Sequence, residues 1–110
     1  MDRALREEID QLHAELCQGV ADPNRIAILY ALRDGSKNVS ELMETLEMSR
    51  ATATRHLKVL RESAMVTTER DGVSIYYSLA DERVIQALDL LREVLAGILA
   101  QRKTLAEAME

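Results

Sequence analysis

Apolar residues recur every three or four positions along most of this chain, with polar and charged residues filling the intervals. This spacing is typical of amphipathic helices. Past the middle of the chain it changes to a strict alternation of apolar and polar residues, which is typical of a half-buried strand. The pattern predicts a mainly helical protein with one small β-hairpin. The predicted helices cover about residues 3–19, 23–33, 39–46, 49–64 and 81–103, and the hairpin covers about residues 65–79.

Polar residues at two of the predicted helix starts support these boundaries. Asn38 and Glu41 have the spacing of a capping box, in which each side chain accepts a hydrogen bond from the backbone amide of the other. Ser49 offers a hydroxyl to the free amides in the first turn of the fourth helix. The third and fourth helices are separated by a tight turn, so residues 39–63 form a predicted helix-turn-helix.

The predicted hairpin contains the dipeptide Asp71-Gly72, a strong signal for a two-residue turn. An isolated hairpin is only marginally stable, so this one is expected to pack on the helices as a wing. In its second strand Val73, Ile75, Tyr77 and Leu79 alternate with Ser74, Tyr76 and Ser78. Arg70 and Gly72 lie at or near the expected tip and are candidates for contacting DNA.

The helix predicted from Ser49 to Ala64 has an apolar stripe and a basic face. The stripe consists of Ala53, Leu57, Leu60 and Ala64. Four arginines or lysines and no acid lie between Ser49 and Arg61, against a net charge of −5 for the chain. A major groove admits such a helix, so Arg50, Ala51, Thr54 and Arg55 are candidates for base edges. Ser49, Thr52, Lys58 and Arg61 are candidates for phosphates. The alternative is an ordinary amphipathic helix with a solvated basic face.

Composition narrows the possible classes of protein. A chain of 110 residues suits one domain with a modest core, and a mildly acidic balance argues against indiscriminate coating of nucleic acid. The single cysteine excludes an intrachain disulfide and fits a reducing cytoplasm. We expect no signal peptide and no membrane span. No pattern joins a nucleophile, a base and an orienting acid, so we do not expect an enzyme.

Three segments resemble the ArsR/SmtB family of winged helix-turn-helix repressors, namely ADPNRIAILYAL, VSELMETLEMSRATATRHLKVLRESAMV and RDGVSIYYSL. The resemblance covers residues 16–79 and is most specific from Ser49 to Leu60 and at Tyr76-Tyr77. It implies a homodimer formed by the first and last helices. It also implies binding to an inverted-repeat operator in double-stranded DNA. The protein is expected to release this DNA when a metal or another inducer binds to it.

The chain departs from the family pattern in two respects. Ala64 replaces a usual glycine, and a left-handed backbone there would cost about 1 kcal/mol. The metal ligands of the family are also missing. Met43 and Thr45 stand where many members have a cysteine pair, and Asp81 has no histidine to accompany it, because none follows His56.

One further pair of residues has metal-ligating chemistry. His13 and Cys17 are four residues apart and share a helical face, so they could form half of a tetrahedral site that Asp89 or Glu93 completes across a dimer. We favour the alternative that Cys17 packs as a small hydrophobe, and we expect no metal and no other cofactor. For His56 we favour a buried ring that donates to the backbone over a contact to phosphate.

The last helix is more apolar than one small core can cover. One stripe contains Val84, Leu88, Leu91, Leu95 and Ile98, and a second contains Ile85, Ala87, Leu90, Val94 and Leu99. The excess predicts dimerisation. The sequence therefore favours a homodimeric transcriptional repressor whose inducer is a small molecule, a redox signal or absent. Two alternatives stay open: a metal-responsive repressor with a non-standard site, and a winged-helix module that docks on other proteins.

Overall fold

The computed structural model describes residues 1–109. Within this range the chain forms five α-helices, one π-helical turn after the first of them, and one two-stranded antiparallel sheet between the fourth and fifth. The predicted mainly helical architecture with a small hairpin is confirmed. The helices are α1 (Arg3–Leu12), α2 (Pro23–Ala31), α3 (Val39–Leu46), α4 (Arg50–Glu62) and α5 (Arg83–Ala108), and the strands are β1 (Val66–Asp71) and β2 (Ser74–Leu79).

The turn between α3 and α4 is defined by local hydrogen bonds at both of its ends. Asn38 Oδ1 accepts from the Glu41 amide at 2.9 Å, and Glu41 Oε1 accepts from the Asn38 amide at 3.2 Å, which confirms the predicted capping box. Glu47 ends α3 with a left-handed backbone at φ 52°. Ser49 Oγ then accepts from the Thr52 amide at 3.1 Å and begins α4. The sequence between the two helices therefore orients α4 through backbone amides.

A single apolar core joins the helices to the base of the hairpin. Its buried members are Ile28, Leu29, Leu32, Leu42, Leu57, Leu60, Met65, Val66, Ile85 and Leu88. Ala53 is also fully buried. Tyr77 and Leu79 of β2 pack against this core from outside. The inner face of α4 is thus anchored in the core, and its other faces are left to solvent.

The hairpin is attached to the helix-turn-helix by a further backbone pairing. The segment just before α3 forms an isolated antiparallel bridge, in which the Lys37 amide donates to the Tyr77 carbonyl at 3.0 Å and the Tyr77 amide donates back at 2.8 Å. Because these bonds use the outer edge of β2, the wing is fixed relative to the start of α3.

The hairpin turn lies one residue further along the chain than predicted. Asp71 pairs with Ser74, so the two turn residues are Gly72 and Val73 rather than Asp71 and Gly72. Gly72 has φ +63°, and a type II′ turn places glycine at this first central position. The prediction that Val73 begins the alternation of the second strand is wrong, because β2 starts at Ser74 and Val73 is a completely exposed turn residue.

Two helix ends also differ from the prediction. Ala64 does not extend the apolar stripe of α4, because the helix ends at Glu62 and Ala64 is exposed with φ +57°. The last helix continues to Ala108, past the predicted end near 103. Its final residues are mostly Ala, Leu, Glu, Lys and Arg, which are good helix formers even without a buried face.

The terminal helices leave most of their apolar side chains uncovered. A π-helical turn at His13–Cys17 follows α1, and neither segment contains a buried residue. In α5 only Ile85 and Leu88 are buried, near its start. The exposed large apolar side chains include Leu5, Ile9, Leu12 and Leu16 near the first helix and Leu90, Leu91, Val94, Leu95, Ile98 and Leu99 in α5. Among residues 1–109, no helix is both long enough and apolar enough to span a bilayer.

Candidate nucleic-acid interface

The outer face of α4 carries most of the predicted DNA contacts. Burial of Ala53, His56, Leu57 and Leu60 defines the inner side of the helix and turns the opposite side outward. The structure leaves the side chains of Ser49, Arg50, Ala51, Thr54, Arg55, Lys58 and Arg61 exposed. It therefore brings these seven predicted site residues together on one surface, which we call the α4 face.

Thr52 is the one predicted α4 contact that is not freely exposed. It is half-buried, and its Oγ1 accepts a hydrogen bond from Ser49 Oγ at 2.9 Å. Ser49 in turn accepts from the Thr52 amide. Because the two hydroxyls bind each other, both are held at the first turn of the helix.

Arg50 extends from the α4 face towards α3. One of its terminal guanidinium nitrogens donates to Ser40 Oγ at 3.1 Å. Ser40 is exposed and lies in the first turn of α3. Sequence reasoning missed Ser40, because nothing in its local pattern shows that it meets a residue ten positions further along the chain. The contact places a guanidinium, a hydroxyl and the amino-terminal end of α3 side by side.

The cations of the α4 face form no ion pair with any side chain of residues 1–109. Ion pairs in residues 1–109 involve Arg3, Arg6, Arg33, Arg83 and Arg92, together with His56. None of Arg50, Arg55, Lys58 or Arg61 takes part in them. In a chain of net charge −5, this leaves a local positive surface with its donors available to an external anion.

The wing adds one more exposed cation. Arg70 lies near the end of β1 opposite Ile75, one pair before the turn. Both Arg70 and Gly72 are exposed. The apolar turn residue Val73 is completely exposed, and Asp71 lies between Arg70 and the turn, so the cation of the wing is set back from its tip.

His56 is buried as expected, but its contacts differ from the prediction. The ring is only 4% exposed, and its Nδ1 lies 3.1 Å from an Arg25 terminal nitrogen rather than against a backbone carbonyl. Its Nε2 is buried without a hydrogen-bond partner among the described residues, and Asp22 Oδ1 is 3.9 Å away. Arg25 had no signal in the sequence, because it is 31 residues from His56 and the two meet only when α2 packs on α4.

Asp22 carries a charge beside this ring. Partial desolvation acts to raise the pKa of its carboxyl. Hydrogen bonds from the Asn24 and Arg25 amides, the charge of Arg25 and the charge that His56 carries when protonated outweigh that effect and hold the pKa below its ordinary value. The Asn24 amide donates to Asp22 Oδ1 at 2.7 Å, which also begins α2. Asp22 is therefore an anion at neutral pH.

The His13 and Cys17 pair lies apart from the α4 face. Cys17 is exposed rather than packed, and the π-helical segment that contains it has no buried residue. His13 Nε2 lies 3.3 Å from Gln18 Nε2. Asp89, a proposed completing ligand, accepts from the Tyr30 hydroxyl at 2.7 Å. Within residues 1–109, no three His, Cys, Asp or Glu side chains are grouped closely enough to hold a metal.

Comparison with known proteins identifies the family. Residues 22–68 match the family described as bacterial regulatory protein, arsR family. The HTH-type transcriptional regulator NmtR of Mycobacterium tuberculosis is 41% identical over 76 residues, which are 69% of this chain and 63% of NmtR. The HTH-type transcriptional repressor SmtB of the same organism is 38% identical over 70% of this chain and 57% of its own length. This chain therefore matches less than two thirds of either protein.

Longer matches extend over nearly the whole chain. The HTH-type transcriptional regulator Rv0081 of M. tuberculosis is 32% identical over 92% of this chain and 90% of its own length. Its crystal structure superposes with a TM-score of 0.75 at 33% identity, covering 86% of this chain and 95% of that one. The solution structure of the homodimeric winged helix-turn-helix DNA-binding domain of Mb0332 from Mycobacterium bovis gives a TM-score of 0.74 at 26% identity, covering 90% and 91%.

These matches, together with the fold, establish the class of protein. The structure is a winged helix-turn-helix, as the resemblance implied. This chain belongs to the arsR family of bacterial regulatory proteins.

Proposed function

We propose that this chain is a sequence-specific transcriptional regulator that binds double-stranded DNA as a homodimer. It acts in the bacterial cytoplasm as a repressor, on an inverted-repeat operator, until an inducer releases it. The observation that carries the proposal is the unneutralised α4 face in an otherwise acidic chain. Family membership supports it, and so does the similarity to NmtR, SmtB and Rv0081, which are HTH-type transcriptional regulators or repressors.

We assign the side chains of the α4 face and the wing to two kinds of contact. Those near the start of α4 read base edges, where arginine pairs with guanine and a threonine or alanine methyl meets thymine. They are Arg50, Ala51, Thr54 and Arg55. The remaining side chains hold phosphates and position the protein on the duplex. They are Ser49, Thr52, Lys58, Arg61 and, in the wing, Arg70, with Gly72 allowing a close approach of the backbone.

Homodimerisation follows from the uncovered terminal helices. At 1.5 Å per residue α5 is about 39 Å long, and only its first turns are covered by the core. Leu91 is 63% exposed and Leu95 is 52% exposed, and a second copy supplies the same apolar stripes in return. A two-fold dimer presents two α4 faces to the major groove about one helical turn apart, or a multiple of it, so the operator is an inverted repeat.

The salt dependence of DNA affinity tests the proposal. Each phosphate contact releases a counterion, so the logarithm of affinity falls linearly with the logarithm of salt concentration. Lys58→Ala should weaken binding to all sequences and lower the salt slope by about one. Lys103→Ala removes the same charge near the far end of α5 and serves as the control. Equal slopes for the two variants would refute the assignment of Lys58 to phosphate.

The same titration separates the proposal from a protein-docking role of the winged helix. A docking surface built on apolar contacts responds weakly to salt, and it binds no DNA in the salt range where several phosphate contacts give strong binding. If the chain binds no duplex DNA at about 50 mM salt, the docking alternative takes precedence over the proposed regulator.

For the inducer, we propose that no tightly bound metal takes part. His13 and Cys17 provide two ligands, and a tetrahedral site needs two more. DNA binding should then be insensitive to submicromolar free zinc, and the inducer would act on the terminal helices as a small molecule or redox signal. Stoichiometric zinc or nickel in protein purified without a metal-binding tag would contradict this. Loss of that metal in both His13→Ala and Cys17→Ser would establish the metal-responsive alternative.

A further inference from the structure

Arg25 joins three parts of the chain through one side chain. Its Nε donates to the Gly19 carbonyl at 2.7 Å, and one terminal nitrogen donates to the Gln18 carbonyl at 3.1 Å. The other terminal nitrogen lies 3.1 Å from His56 Nδ1 on the inner side of α4. Arg25 itself belongs to α2. The guanidinium therefore ties the end of the first helical segment to the helix that carries the α4 face.

Packing holds the histidine end of this connection in place. His56 is 4% exposed and is flanked in sequence by the core residue Leu57. Gly19 is buried, and a Cβ added to it would lie 2.7 Å from Met65 Sδ, so the carbonyl that Arg25 binds belongs to a residue packed beside the Met65 side chain. A change at the Arg25–His56 contact therefore acts on a ring that cannot move into solvent without disturbing the packing of α4.

The chemistry of the contact requires a neutral His56. A guanidinium has donors and no acceptor, so His56 Nδ1 must be the acceptor. The ring proton is then on Nε2, the buried nitrogen without a hydrogen-bond partner in residues 1–109. An imidazolium carries a proton on both nitrogens, and its Nδ1–H would face a guanidinium N–H at 3.1 Å.

We propose that Arg25 and His56 are positioning residues that hold α4 in its DNA-binding orientation only while His56 is neutral. The proposal rests on the proposed DNA-binding function. Protonation of His56 breaks the bond to Arg25 and sets two cations against each other. The link between the first helical segment and the α4 face is then lost, and DNA affinity falls on acidification.

Two charged groups face the ring and act in opposite directions. Arg25 opposes the imidazolium. Asp22, whose Oδ1 is the only carboxylate oxygen within 4.0 Å of a His56 nitrogen among the described residues, favours it. Both belong to the start of α2. Protonation thus replaces the hydrogen bond from Arg25 with attraction to Asp22. The His56 ring therefore has two alternative partners, one for each of its charge states.

The pH dependence of DNA affinity in matched variants tests whether DNA binding requires a neutral His56. His56→Asn places an amide oxygen near the position of Nδ1 and cannot titrate. His13→Gln removes the only other histidine, which is exposed and has no hydrogen bond to Arg25 or His56 among the described residues, and it serves as the control. The measured quantity is the ratio of the Kd at about pH 5.5 to the Kd at about pH 8.

We expect the ratio for wild type and for His13→Gln to exceed that for His56→Asn by about tenfold, the size of one hydrogen bond to a charged group. General protonation of acids strengthens DNA binding in all three proteins alike, so it cancels in the comparison. Thermal unfolding followed by circular dichroism at both pH values ensures that only folded protein is compared. Equal ratios for wild type and His56→Asn would overturn the proposal.

A measurement on the wild-type protein keeps the test independent of DNA and of any unstable variant. Nitrogen NMR of the imidazole, assigned with His13→Gln, should show His56 neutral at about pH 8 with its proton on Nε2. A proton on Nδ1 would overturn the proposal. Failure to bind DNA at about pH 8 while the Nε2–H tautomer is present would instead refute the proposed function and leave the contact established.

Discussion

Ala64→Gly should stabilise this protein, although it removes a methyl group and introduces the most flexible residue. Ala64 follows α4 with φ +57°, and it is one of two non-glycine residues with positive φ among residues 1–109. Its side chain is exposed, so removing the methyl group leaves no internal cavity. A left-handed backbone brings the Cβ of an L-residue too close to the following carbonyl oxygen, and glycine has no Cβ.

The magnitude follows from two opposing terms. Relief of the left-handed strain contributes about 1–2 kcal/mol, and the greater backbone freedom of glycine in the unfolded chain costs about 0.5–1 kcal/mol. The expected net gain is about 0.8 kcal/mol in the free energy of unfolding. For a domain of this size, that gain corresponds to a rise in Tm of about 3–6 °C.

The assay is thermal unfolding at one fixed protein concentration, because association couples Tm to concentration. Ala51→Gly provides the matched control, since Ala51 is exposed on the same helix with a right-handed backbone. That variant has no strain to relieve and should lose up to about 1 kcal/mol. If Ala64→Gly lowers Tm as much as Ala51→Gly does, Ala64 does not have a strained left-handed backbone.

Three further changes probe separate parts of the structure. Leu95→Glu, on the uncovered part of α5, should convert a dimer to monomer in sedimentation at micromolar concentration, and an unchanged dimer would place the interface elsewhere. Gly72→Val, at φ +63°, should leave the helices folded by circular dichroism but weaken DNA binding, and unaltered binding would show that the wing makes no contact. Arg83 donates hydrogen bonds to Asp81 and lowers the pKa of that carboxyl from 3.8 to about 2. The stabilisation from this ion pair is therefore fully present above the ordinary pKa of Asp81 and disappears as the pH falls towards 2. The Tm difference between wild type and Asp81→Asn should shrink over the same range, and a constant difference would show that the ion pair contributes nothing.

Features set by neighbours in sequence could be predicted, and those set by tertiary contacts could not. The capping box of Asn38 and Glu41 and the cap at Ser49 involve residues three apart, so their spacing was sufficient. The contact between Arg25 and His56 requires the packing of α2 on α4, which no local pattern encodes. The hairpin lies between these cases. Its existence was evident from the alternation, but Asp71-Gly72 and Gly72-Val73 are both acceptable turns, and pairing to β2 selects between them.

The candidate site divides in the same way. The basic character of the α4 face was evident from the sequence, because the buried stripe of Ala53, Leu57 and Leu60 determines which positions face outward. The role of Ser40 beside Arg50 was not evident, because it depends on the angle between α3 and α4. The burial of His56 was expected from its place near the stripe, whereas its partner was not. Residue types thus indicated the surface, and helix packing determined the contacts that hold it.

Selection of DNA binding sites from a random duplex pool shows whether the chain reads DNA as a dimer through α4. We expect enrichment of an inverted repeat whose half-sites lie about one helical turn apart, or a multiple of it. Arg55→Ala should relax the preference at particular bases of each half-site, by about 1–3 kcal/mol. Recovery of a single unrepeated half-site, or of no preferred sequence at all, would contradict a dimeric regulator that reads DNA through α4.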